Sequence, residues 1–92
     1  MKHGNRDTEH REIVAFLRAC GASVFDAGDV GIGFPDLVVG MWGANHLIEV
    51  KTGDAPLRVS QVEFARGWRG GKVLVIRGMD DARKWIERRG KL

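Results

Sequence analysis

The chain predicts a single α/β domain, and three observations carry that prediction. Its 92 residues suffice for one hydrophobic core and leave little room for a second. Apolar residues recur at helical spacing in three stretches and gather into short strand-like runs in four others. Turn-forming clusters separate these stretches into the order helix, strand, strand, strand, helix, strand, helix, which suits one layered sheet-and-helix structure.

Asp7 or Thr8 is suited to cap a first helix over 8–20, with Ile13, Phe16 and Leu17 on its apolar stripe and Gly21 ending it. Ala22 to Phe25 reads as a short strand. Asp26 to Phe34 is a glycine-punctuated loop with neither helical nor strand rhythm. Residues 36–42 form a strand, Gly43-Ala44-Asn45 turn the chain, and 46–52 return as the hairpin partner. After a polar loop from Thr52 to Pro56, a second helix covers 58–68 and ends near Gly70-Gly71. Lys72 to Arg77 is the most strand-like run, apolar enough for the centre of a sheet. A last helix spans 79–89, with Asp80 and Asp81 at its start and Arg88, Arg89 and Lys91 near its end, each suited to the helix dipole.

Chemistry concentrates at Pro35-Asp36 and, thirteen positions after that aspartate, Glu49-Val50-Lys51. Side chains alternate along a strand, so Glu49 and Lys51 share a face while Val50 points away and leaves its carbonyl beside them. Asp36 opens the neighbouring strand, where its carboxylate can converge on the same face. Two acids, a carbonyl and an ammonium suit a Mg²⁺ site next to a phosphate, and so a metal-dependent nuclease. The plainer reading of Glu49 and Lys51 is an exposed ion pair worth ~0–1 kcal/mol. An interior-type strand beside Asp36 argues against it, because burying three charges is costly without a ligand.

Net charge is +3 and uneven: residues 1–46 carry four Lys/Arg against six Asp/Glu, and residues 47–92 carry eleven against six. A basic half can follow a phosphate backbone, although charge runs are more often plain solvated surface. No stretch approaches the roughly 20 apolar residues that span a bilayer, and no N-terminal signal pattern is present. The expectation is a cytoplasmic protein without membrane partners. The lone Cys20 agrees and reads as a buried packing thiol. Trp68 and Trp85 fit helix stripes facing a core, and Trp42 at a strand end suits a DNA or a dimer contact. His3 and His46 read as surface residues. Gly31 and Gly33 lack the Gly-Lys-Ser/Thr of a nucleotide loop and instead let a loop approach nucleic acid.

Element order and motif placement together resemble the PD-(D/E)xK nuclease superfamily, and within it the virus-type replication-repair nucleases (VRR-NUC). They are also similar to the Holliday junction resolvase-like nucleases. The resemblance covers nearly the whole chain. It rests on Gly31-Ile32-Gly33-Phe34-Pro35-Asp36-Leu37, on Ile48-Glu49-Val50-Lys51, on Leu57 with Gln61-Val62 and Trp68, and on Glu12-Ile13-Val14 through Leu17 to Gly21-Ala22.

It implies a restriction-endonuclease-like core, a mixed four-stranded sheet flanked by helices in the order αβββαβα. Asp36, Glu49 and the Val50 carbonyl would hold Mg²⁺ or Mn²⁺, Lys51 would position or polarise the attacking water, and Gln61 would be an accessory polar residue. Arg58, Lys72 and the Gly33 loop become candidates for contacting nucleic acid. Two positions depart from the pattern. His10, with Glu9 and Glu12 close by, stands where the wider family places a glutamate on the first helix, and is a candidate for holding a metal or its water. Arg58 stands where related sequences carry a capping Ser or Thr. The implied activity is a homodimeric, structure-selective DNA endonuclease, phage-encoded, leaving 5′ phosphate and 3′ hydroxyl ends. The alternatives are a non-catalytic DNA-binding module with a decayed site, and a structural protein whose acids bind a cation for stability alone.

Overall fold

The computed structural model describes the backbone of residues 2–90 and the side chains of residues 8–89. Its elements are α1 (Lys2–Ala19), β1 (Ser23–Asp26), β2 (Leu37–Met41), β3 (Ala44–Val50), α2 (Val59–Gly67), β4 (Leu74–Ile76) and α3 (Met79–Gly90). The four strands form one mixed sheet in the order β1-β2-β3-β4. β1, β2 and β3 form an antiparallel meander, and β4 pairs parallel to β3. A parallel neighbour needs a crossover, and α2 supplies it. No described helix is long and apolar enough to cross a membrane.

The sheet is covered on both faces. On one, Leu37, Val39, Ile48, Val50 and Ile76 pack with Ile13 and Leu17 of α1 and Ala82 and Trp85 of α3. Leu37, Val39 and Ile48 are fully buried, as the period-two alternation requires. The other face carries the odd-numbered partners on β3, with Glu49 buried beneath α2. α2 is fastened there by Phe64, whose ring stands edge-on to Phe34 at 5.3 Å. Gly33 completes the junction. With φ of +82° it lies so close to the Ser60 carbonyl that a Cβ would overlap it.

Four expectations are corrected. α1 starts at Lys2, so Asp7 and Thr8 lie within the helix rather than capping it. The added turns have no apolar stripe, and periodicity gave no sign of them. The hairpin turns at Trp42-Gly43 rather than over 43–45, because Met41 pairs with Ala44. Both turn residues have positive φ, 56° and 73°, the two-residue form whose twist suits a hairpin. β4 is an edge strand rather than a central one. Its apolar run reflects helices on both of its faces: Ile76 enters the main core, while Val75 lines the cavity under α2. Cys20 is half-buried just past α1. His3 and Lys91 lie outside the described side chains.

Loops are tied by single polar contacts. Arg77 donates from Nη1 to the carbonyls of Gly53 (3.0 Å) and Ala55 (2.6 Å), which holds the segment after β3 against the end of β4. Asp81 accepts from the Arg77 amide at 2.8 Å and so anchors the start of α3. The core and surface predict different tolerance. Leu37→Ala is expected to lower unfolding free energy by about 2–5 kcal/mol in denaturant titrations. Val59→Ala, at a residue 73% exposed, is expected to change it by less than about 0.5 kcal/mol.

Candidate active site

Asp36 and Glu49 meet because the β2–β3 register brings Leu37 opposite Ile48 and so sets the preceding residue beside Glu49. One Asp36 oxygen, Oδ2, accepts the Val50 amide at 2.9 Å. Since the N–H and C=O of a strand residue point the same way, the Val50 carbonyl faces this side too. The other contact is with Glu49 itself, since the two carboxyl groups lie within hydrogen-bonding reach. Glu49 is 3% exposed, and burial first, then the Asp36 carboxyl, push its pKa from 4.5 up to about 7. Lys51 and Arg58 oppose this and favour the carboxylate.

Lys51 follows β3 directly, on the same face as Glu49, and is itself buried. Its amide donates to the Ile76 carbonyl at 2.9 Å, so β4 fixes the backbone from which the ammonium extends. Gln61 is buried on α2 with both ends of its amide engaged. Nε2 donates to Glu49 Oε2 at 2.8 Å, and Oε1 accepts the Arg58 amide at 2.8 Å. That second bond is half of a capping box. The guanidinium of Arg58 has no acceptor to return it, so the first turn of α2 leans on Gln61 alone. Gln61 thus ties the glutamate's orientation to the seating of the helix.

The other anticipated residues are less uniform. Arg58 is exposed beside the acids, near enough for its charge to act on Glu49. Lys72 lines the rim of a cavity of about 230 Å³ that also touches Glu49, Gln61, Pro35 and Phe64. Gly33 is buried, packed against the Ser60 backbone, and lines the same cavity. Ile32, in the same loop, is 85% exposed at a φ of 53°. His10 is hydrogen-bonded to Asp26 at 3.1 Å, not to Asp36 or Glu49. Asp26 is held below its ordinary pKa chiefly by the Gly28 amide, with His10 adding to the effect. Glu9 lies over Gly78, and Glu12 is exposed.

Trp85 is in the core, as its helical position requires. Trp68 is not. It stands one residue beyond α2 in an extended conformation, stacked on Phe64 at 5.2 Å and 45% exposed. Phe64 and Trp68 are four residues apart, a spacing that marks neighbours on a helix surface and was the available signal for this stack. His46 is half-buried, edge-on to both Trp42 and Trp85, which also touch each other.

The donor set fits a hard divalent cation. Mg²⁺ commonly takes one or two carboxylates and completes its shell with water and phosphate oxygen. Asp36, Glu49 and the Val50 carbonyl are all oxygen donors. Among the described residues no three His, Cys, Asp or Glu side chains gather at one point, so the carboxylates that meet here are the two of Asp36 and Glu49. No known protein family, curated protein or solved structure matches the chain.

The acidic pair carries a pH signature. The Glu49 pKa is raised in the fold, so between about pH 4.5 and 7 the unfolded chain releases this proton first. Metal-free protein is therefore expected to lose stability as pH rises through that window. Thermal melts should show the decline in the native sequence and a shallower one in Glu49→Gln.

Proposed function

We propose that this protein is a divalent-metal-dependent DNA endonuclease of the PD-(D/E)xK type, similar to the virus-type replication-repair nucleases and acting on branched or otherwise structured DNA. One observation carries the reading. The Asp36 and Glu49 carboxyl groups lie together on one sheet face beneath α2, with Lys51 buried on the same face and near enough for its charge to act on Glu49. Isolated buried charge is destabilising, so such a cluster calls for a reason beyond stability.

Asp36, Glu49 and the Val50 carbonyl would hold Mg²⁺ or Mn²⁺. When bound, such an ion polarises a non-bridging phosphate oxygen and makes water a stronger nucleophile at neutral pH. Lys51 supplies a compact fixed cation at the same place. Its ammonium donates toward the phosphate oxygens and the incoming water, orienting attack and stabilising the charge that gathers in the pentavalent state. Glu49 must be ionised for this work, and Gln61 holds its Oε2 in place. Arg58 and Lys72 flank the acids and offer cations to neighbouring phosphates. A second copy would supply the second site needed to cut both strands of a branched substrate, and a symmetric dimer is the commonest way to bring two together.

Flaps, nicked circles, bubbles and four-way junctions incubated with Mg²⁺ or Mn²⁺ test the proposal. Cleavage is expected, and Lys51→Ala should reduce its rate by about a hundredfold or more while circular dichroism stays unchanged. Equal cleavage by Asp36→Ala would place the chemistry elsewhere. Binding to these substrates with no cleavage in either metal would favour a DNA-binding module. Light scattering is expected to give the mass of a dimer, and a monomer at high concentration would defeat that part.

A further inference from the structure

A second cavity lies where β4 stops short. β4 pairs with Ile48 to Val50, and among the described residues the Ala44–Leu47 half of β3 has no strand on that side. The gap holds a pocket of about 240 Å³ lined by His46, Leu47, Trp68, Lys72, Trp85 and Arg89, among others. We propose that this pocket takes an unpaired nucleobase of the strand that passes the acidic pair, with Trp68 as the stacking surface and Lys72 and Arg89 holding the adjoining phosphates. The inference rests on the nuclease reading above and names how that site would select its substrate.

Trp68 has one ring face against Phe64, nearly parallel at 19°, and is 45% exposed. An exposed aromatic held in place by a neighbouring ring is the platform that single-stranded nucleic acid uses, since every base has a flat face. The opposite wall is packed aromatic surface. Trp85 is buried, and its ring meets His46 at 5.2 Å and Trp42 at 5.1 Å, both edge to face. Arg89 sits 5.2 Å over the Trp42 ring, which keeps its guanidinium at the pocket rim. A packing cluster alone would not need two exposed cations at its mouth.

Continuity with the acidic pair is the stronger argument. Lys72 lines both this pocket and the cavity that contains Glu49 and Gln61. Leu47, in the pocket, and Glu49 are successive residues on one face of β3, about 7 Å apart along the strand. A phosphodiester held at Glu49 and Lys51 would thus send the next part of its strand over Lys72 toward Trp68. Stacking there requires a base free of its complement, which a flap, bubble or junction provides and an unbroken duplex does not.

The test separates binding from cleavage by working in EDTA. Fluorescence anisotropy of a labelled single-stranded oligonucleotide, and of the matching blunt duplex, is measured with the native sequence, Trp68→Ala, Trp68→Phe and Arg89→Ala. Trp68→Ala should weaken single-strand binding roughly tenfold and duplex binding far less, with Trp68→Phe restoring most of it. Arg89→Ala should weaken single-strand binding and flatten its salt dependence, and it serves as the independent variant if Trp68→Ala does not fold. Unchanged single-strand affinity in the folded variants, or equal losses on single strand and duplex, would overturn the pocket. If the native sequence cleaves nothing with Mg²⁺ or Mn²⁺ yet the stacking losses appear, the nuclease reading fails and the pocket stands. If Trp68→Ala and Arg89→Ala bind and cleave like the native sequence, the pocket fails alone.

Discussion

The contact between the Asp36 and Glu49 carboxyl groups is the constraint on which the rest of this structure turns. Two acids placed side by side under a helix repel each other when ionised, and burial raises the cost. The fold answers with specific partners. The Val50 amide takes one Asp36 oxygen, Gln61 takes one Glu49 oxygen, and Lys51 adds a positive charge on the same face. None of these removes the conflict, as the upward pull on Glu49 shows. An apolar pair at these positions would pack at lower cost, so stability alone does not account for the arrangement.

The same contact explains why α2 lies where it does. Its own hydrophobic attachment is modest, with Phe64 against Phe34 and the backbone of Ser60 against Gly33. Gln61 adds the polar half, linking Glu49 to the amide of Arg58 at the mouth of the helix. Helix seating and glutamate orientation are thus one event, and Gly33 sets the distance at which it happens. The opposite face of the sheet, built from Leu37, Val39, Ile48 and the stripes of α1 and α3, supplies the large core against which this smaller layer rests.

Much of this was readable in the chain. Alternation with a period of two is a strong signal, and it sets Glu49 and Lys51 on one face with Val50 on the other. Asp36 opens the neighbouring strand, which lets its carboxylate converge on the face of Glu49. What stayed hidden depends on long-range neighbours. The apolar run at Leu74–Ile76 says that both faces are covered, and it says nothing of whether a strand lies beyond. The pairing of His10 with Asp26 joins residues sixteen apart, which no local pattern relates. Trp68 looked like the end of an amphipathic stripe, yet α2 stops at Gly67 and leaves its ring half in solvent. The start of α1 had no apolar residues to announce it.

Trp42 is an improbable residue for the bend it occupies. Left-handed backbone at a bulky side chain is unfavourable, and two-residue hairpins of this kind ordinarily use asparagine, aspartate or glycine. Its ring is retained by Trp85 and Arg89, which come from the far end of the chain. The bend of the ribbon that carries Glu49 is therefore braced by α3, an element distant in sequence, so the hairpin's geometry is supported from outside the hairpin itself.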